Sequence, residues 1–185
     1  MNELASTTMA AWQSFYVIVG SSAAALIGIQ FVVITLIANT RRPVTADSIS
    51  AFGTPTVVHL AGALFISAAM SIPWSSLFPA SIVLAMGGFG GVAYIAIASR
   101  RAHRQTYYKA EWEDWLWYAL VPCCIYSALM IAAFFLQAAP LFALFAIGAT
   151  AFGLLLTAIR NAWDTVTHIV VVRIHGDDTA SLKSE

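Results

Sequence analysis

Chemistry at membrane depth in this 185-residue chain has few side chains to work with. His59 is the one group inside an apolar stretch that titrates near neutral pH, since no Asp, Glu, Lys or Arg falls between the ends of the candidate spans. Ion-coupled carriers place carboxylates at that depth, and an intramembrane aspartyl protease needs two of them. A haem held by two histidines would take its second His from another copy of the chain. Serine hydrolysis with His59 as base would draw on Ser21, Ser22, Ser67, Ser71 or Ser127, none of which carries a nucleophile signature. The expectation is a non-catalytic protein with no cofactor.

Counting inward from the cytoplasmic span ends at 1.5 Å per residue, Gln30, His59, Tyr94 and Cys123 fall roughly 9 to 14 Å above the inner interface. Each is polar or polarisable in an apolar run. An unpaired amide or imidazole in hydrocarbon costs several kcal/mol. These four are therefore expected to form a polar layer, with His59 paired to Gln30 or Tyr94. It would act as a structural knot or, alternatively, as a gate.

A second cluster lies at the inner surface: Glu113 and Asp114 before the fourth span, and Arg160, Asp164 and His168 at and after the end of the fifth. Asp164 and His168 stand one helical turn apart, a spacing found in metal sites, but two ligands fall short of the three or four that zinc requires. No metal is expected. The preferred reading is electrostatic, with Arg160 meeting Glu113 or Asp114.

The elements that must position these residues are spans. With 60% hydrophobic and only 10% charged residues, the chain cannot cover a soluble globule. Five spans are expected, at about 15–38, 54–72, 79–98, 115–136 and 141–160, forming an all-α transmembrane bundle within a single domain over 1–176. A short amphipathic helix at about 161–173 would lie on the cytoplasmic side or prolong the fifth span, with a strand as the alternative because Val170, Val171 and Val172 are β-branched. Residues 177–185 read as a loose polar tail. In the amphipathic segment Ala162, Trp163, Val166, Ile169 and Val170 share one face, with Asn161, Asp164, Thr165 and His168 opposite.

Small residues mark the packing faces. Gly20, Ala24 and Gly28 recur every four residues in the first span, and Gly87 and Gly91 have GxxxG spacing in the third. The GGFGG run (87–91) reads as a close helix crossing, or as an unwound segment lining a cavity. Thr54 and Pro55 are expected to open the second span after a short interfacial helix, and Pro122 to kink the fourth by freeing a carbonyl near Tyr118. The adjacent Cys123 and Cys124 form neither a disulfide framework nor a zinc pattern. No basic n-region precedes the first apolar run, so no cleavable signal is expected.

Five spans with an outside N-terminus put all nine basic residues on one side, which the positive-inside bias makes cytoplasmic. All six tryptophans then fall at span ends. Zero net charge gives no sign of a nucleic-acid partner.

The stretches TPTVVH (54–59), EDWLWY (113–118) and NAWDTVT (161–167) resemble the recurring words of a family of small, uncharacterised bacterial integral membrane proteins. The resemblance covers most of the chain and implies a bacterial inner-membrane setting, with no activity attached. Two functions are weighed. One is an oligomeric channel-like protein for an ion or small solute, lined by Ser, Thr, Gln and His side chains. The other is a regulatory or assembly factor that binds another membrane protein through its Gly/Ala faces. A redox or lipid-modifying enzyme is a weaker third. The expected partners are the bilayer and either further copies of the chain or a different membrane protein.

Overall fold

In lipid every backbone donor and acceptor must be satisfied within its own segment, and an apolar chain of this length meets that demand with helices. The structure, a computed structural model, describes residues 2–38, 46–104 and 115–181, and the side chains of 10–35, 54–101 and 115–167. The described residues form α1 (Asn2–Ala38), α2 (Ala46–Ser71), α3 (Leu77–Arg104), α4 (Val121–Phe135) and α5 (Pro140–Ser181). A π-helical turn, Leu116–Leu120, leads into α4. Five stretches are long and apolar enough to cross a membrane: Ala10–Thr35, Thr54–Ser71, Leu77–Arg101, Leu116–Phe135 and Pro140–Thr167. The chain is a polytopic all-helical bundle.

α2 sits at its centre, packed on α1, α3 and α5, while α4 closes the far side against α3 and α5. The buried face of α2 is Leu60, Ala63 and Ile66, and that of α5 is Leu144, Ile147, Ala151, Leu154 and Ala158. Alanines at many of these positions let the axes come close, as in membrane interiors generally. The largest apolar side chains point the other way, with Phe31, Phe89, Phe134, Phe142 and Phe145 all exposed on the bundle's surface. That inversion suits a lipid solvent, where a phenyl ring gains nothing by hiding.

Several boundaries differ from the sequence expectation. Thr54 and Pro55 do not open a helix: α2 is continuous from Ala46, and Pro55 lies inside it. Of the two placements expected for the C-terminal amphipathic segment, it takes the second, continuing α5 directly rather than forming a helix of its own, and α5 also runs through much of the expected tail to Ser181. No strand occurs among the described residues. The GGFGG run is ordinary helix within α3. Pro122 follows a widened turn. It lacks the N–H that would serve the Tyr118 carbonyl, and just before it the Val121 N–H reaches back five residues to the Leu116 carbonyl. A π-turn is one of the recognised ways a helix absorbs such a disruption.

Candidate functional site

The site is built around Tyr126. Its ring lies between α2 and α3, where two glycines make room for it. A Cβ built on Gly91 would collide with the Tyr126 ring, and one on Gly62 would sit 2.7 Å from the Tyr126 hydroxyl. The hydroxyl thereby reaches His59, whose Nδ1 lies 3.3 Å from it. His59 is 0% exposed, three residues from Gly62 on the same face of α2.

The remaining contacts fix levels in the bundle. Gly62 also meets Leu154 of α5, Gly87 meets the Phe65 ring, Gly20 meets Ser67, and Gly153 meets Ile125. Counting along antiparallel neighbours from these pairs, Gln30 of α1 and Tyr94 of α3 come level with Val57 and Val58, beside His59. Gln30 is buried, while Tyr94 and Cys123 are half-buried. The expected pairing of His59 needs correction. The hydrogen bond of His59 goes to Tyr126, not to Gln30 or Tyr94. Tyr126 offers a hydroxyl at the end of a rigid ring, which crosses the interface from α4 where the glycines leave a slot.

On the outer face of this slot is a cleft of about 240 Å³, opening sideways from the bundle. Gly87, Gly90 and Gly91 floor it, with Phe65, Tyr94 and Tyr126 around them. Its walls are almost wholly apolar, so it presents hydrocarbon-like surface with the two tyrosines at its inner side.

Behind His59 the bundle holds further polar groups. Thr56, Asn161 and Thr157 are buried, and Asn161 is 0% exposed. His59 Nε2 and both amide atoms of Asn161 have no hydrogen-bond partner among the described residues. The Tyr16 hydroxyl and Ser67 Oγ, nearer the opposite end of the bundle, share that condition. Thr157 instead donates to the Gly153 carbonyl, and Thr150 to that of Ile147. Periodicity puts Asn161 on the face opposite Trp163. Trp163 is 71% exposed, and Asn161 faces inward. Asp164, on the same side of the pattern, is exposed.

At the end of the bundle where α4 begins, Arg160 lies 4.2 Å above the centre of the Trp117 ring. Tyr118 donates a long hydrogen bond, 3.4 Å, to Asp164 Oδ2. Two residues of the π-turn are thus tied to α5 one turn apart. The expected acidic partners of Arg160, Glu113 and Asp114, lie outside the described residues, as does the side chain of His168. No group of three metal-ligating side chains occurs among the described residues.

The small-residue stripe of α1 divides. Gly20 is buried against Ser67, where an added Cβ would stand 2.9 Å from the Ser67 Cβ. Ala24 and Gly28 are exposed, and nothing lies within 4 Å of a Cβ built at Gly28. Only the first of the three packs within the bundle.

These features define a multi-pass helical membrane protein with a closed, partly polar interior. Comparison with protein-family models, curated proteins and solved structures finds no match to the chain.

Proposed function

We propose that the protein is a non-catalytic assembly or regulatory factor that docks on another membrane protein through the outward face of α1. The observation that carries this reading is the split stripe: Ala24 and Gly28 follow Gly20 at the same spacing yet are left open. Ser21 and Ala25 beside them are also exposed, so this face is small-sided over two turns. Between membrane helices, close backbone approach through small residues is a principal source of association. The setting we propose is the bacterial inner membrane, with the N-terminus outside and the C-terminus cytoplasmic, on the strength of the one-sided basic residues and the family resemblance.

The channel reading finds less support in a single copy. Its candidate lining groups Gln30, His59 and Thr56 are buried among helices, and a path would have to form between copies. The test pairs two measurements. Ala24→Leu with Gly28→Leu should abolish co-purification of the partner from native membranes while leaving thermal stability unchanged. The purified wild-type protein in liposomes should carry no ion or solute flux. Flux from liposomes, with no partner recovered, would overturn the assignment in favour of the channel.

A further inference from the structure

We propose that the sideways-opening cleft between α2, α3 and α4 is a lipid site, in which one acyl chain of an anionic phospholipid lies along the glycine floor while Arg101 holds the phosphate. The cleft encloses about 240 Å³ between helices long and apolar enough to cross a membrane, so its mouth faces hydrocarbon.

Its shape suits a chain and not a helix. The floor runs from Gly87 to Tyr94, seven residues or roughly 10 Å of α3, which gives the cleft a mean cross-section of roughly 24 Å². A helix with its side chains is about 10–12 Å across and has several times that section. Deeper entry is closed, because the Tyr126 ring already fills the space above Gly91. At Gly90, by contrast, nothing lies within 4 Å of a built Cβ, and the floor is open. A void beside lipid forfeits dispersion contacts along its walls, and the molecules at hand to fill it are acyl chains.

Such a chain gains no hydrophobic energy by leaving the bilayer, so apolar walls alone do not choose among lipids. Charge makes the choice. Gly91, Tyr94, Ala98 and Arg101 follow Gly87 at four, seven, eleven and fourteen residues, along one stripe of α3. Arg101 is exposed where the span ends, at the level of lipid headgroups. Side chains on a helix lean toward its N-terminus, which for Arg101 is toward the cleft, and its charge acts at the Tyr94 hydroxyl. From Arg101 the floor lies roughly 10 to 21 Å deeper, within the reach of an acyl chain whose phosphate sits at the guanidinium. Arg100 points about 100° away around the helix. A cation at the membrane surface favours anionic lipid about fivefold. No residue of α1 lines the cleft, so this site and the docking face of the proposed function stand or fall separately.

The test is photo-crosslinking of the full chain in phosphatidylcholine liposomes doped with phosphatidylglycerol or phosphatidylcholine, each bearing the same mid-chain diazirine, with adducts located by mass spectrometry. Adducts on Phe65, Tyr94 and Tyr126 should be about fivefold more abundant with phosphatidylglycerol. Those on Phe134, exposed on α4 and outside the cleft, should not differ between the lipids. Arg101→Gln should lower the cleft adducts to the phosphatidylcholine level, and Arg100→Gln should not. Gly90→Leu, which fills the floor, should abolish them with either lipid. Because Arg101 is exposed, its variant carries the result should Gly90→Leu fail to fold. Equal labelling by the two lipids in the wild type, equal losses at Arg100 and Arg101, or cleft adducts that survive in folded Gly90→Leu would each overturn the proposal.

Discussion

Single alanine substitutions in the glycine run of α3 probe two opposite environments on one helix. At Gly88 an added methyl group would sit 2.9 Å from the Tyr126 carbonyl oxygen and 2.6 Å from Met130 Cγ on α4. The methionine side chain can turn aside. The carbonyl belongs to helix backbone, so α3 and α4 must part until 2.9 Å becomes an ordinary contact of 3.4 Å or more. At Gly90 nothing lies within 4 Å. Alanine gains about 1 kcal/mol of helix propensity at either position, and overpacking of a tight contact costs about 1–3 kcal/mol. Gly90→Ala should therefore be neutral or stabilising by up to about 1 kcal/mol, and Gly88→Ala should range from neutral to a loss of about 2 kcal/mol. The two variants should differ by about 2 kcal/mol, roughly thirtyfold in the unfolding equilibrium. Reversible unfolding in bicelles, followed by steric trapping, measures this directly. Equal stabilities for the two variants would refute the close α3–α4 crossing. A large loss at Gly90 would instead place that face against something in the fold.

Tyr126→Phe should cost about 0.5–1 kcal/mol in the same assay, since it removes one long hydrogen bond to His59 and little packing. A loss several times larger would mean that the hydroxyl organises more than His59. Arg160→Gln should cost about 0.5–1 kcal/mol, the typical worth of a cation over an exposed aromatic face, and the loss should disappear in a Trp117→Leu background. Full additivity of the two changes would contradict the stacked pair. Single cysteines at Asn2 and Ser184, in a chain lacking Cys123 and Cys124, should label from opposite faces of intact cells. Labelling from one face would require an even number of spans.

The bundle was legible because length, hydropathy and basic-residue placement are set by the lipid solvent, and they constrain each span separately. At Pro122 the sequence marked the place of a local disruption, since a missing N–H has a local consequence wherever it falls, but not its form as a π-turn. Pro55 was not legible, because Thr-Pro marks a helix start only when no helix already arrives from upstream, and α2 does arrive. At the site, His59 stood out as the lone intramembrane imidazole. Its partner did not, since Tyr126 becomes one only through the slots at Gly62 and Gly91 on two other helices. Asn161 was legible only as lying opposite Trp163, since periodicity separates two faces without saying which of them the bundle buries. Likewise, Gly20, Ala24 and Gly28 look alike in sequence, and only the position of Ser67 separates the one that packs from the two that do not.

The central claim, a free helix-docking face on α1, is tested most directly by site-specific photo-crosslinking in native membranes. A photoreactive residue placed at Ala24 or Gly28 should capture a discrete second protein. The same probe at Ile131 of α4, which is also exposed but flanked by bulkier side chains, should capture only lipid. Crosslinking of Ala24 and Gly28 to lipid alone, indistinguishable from Ile131, would contradict the account.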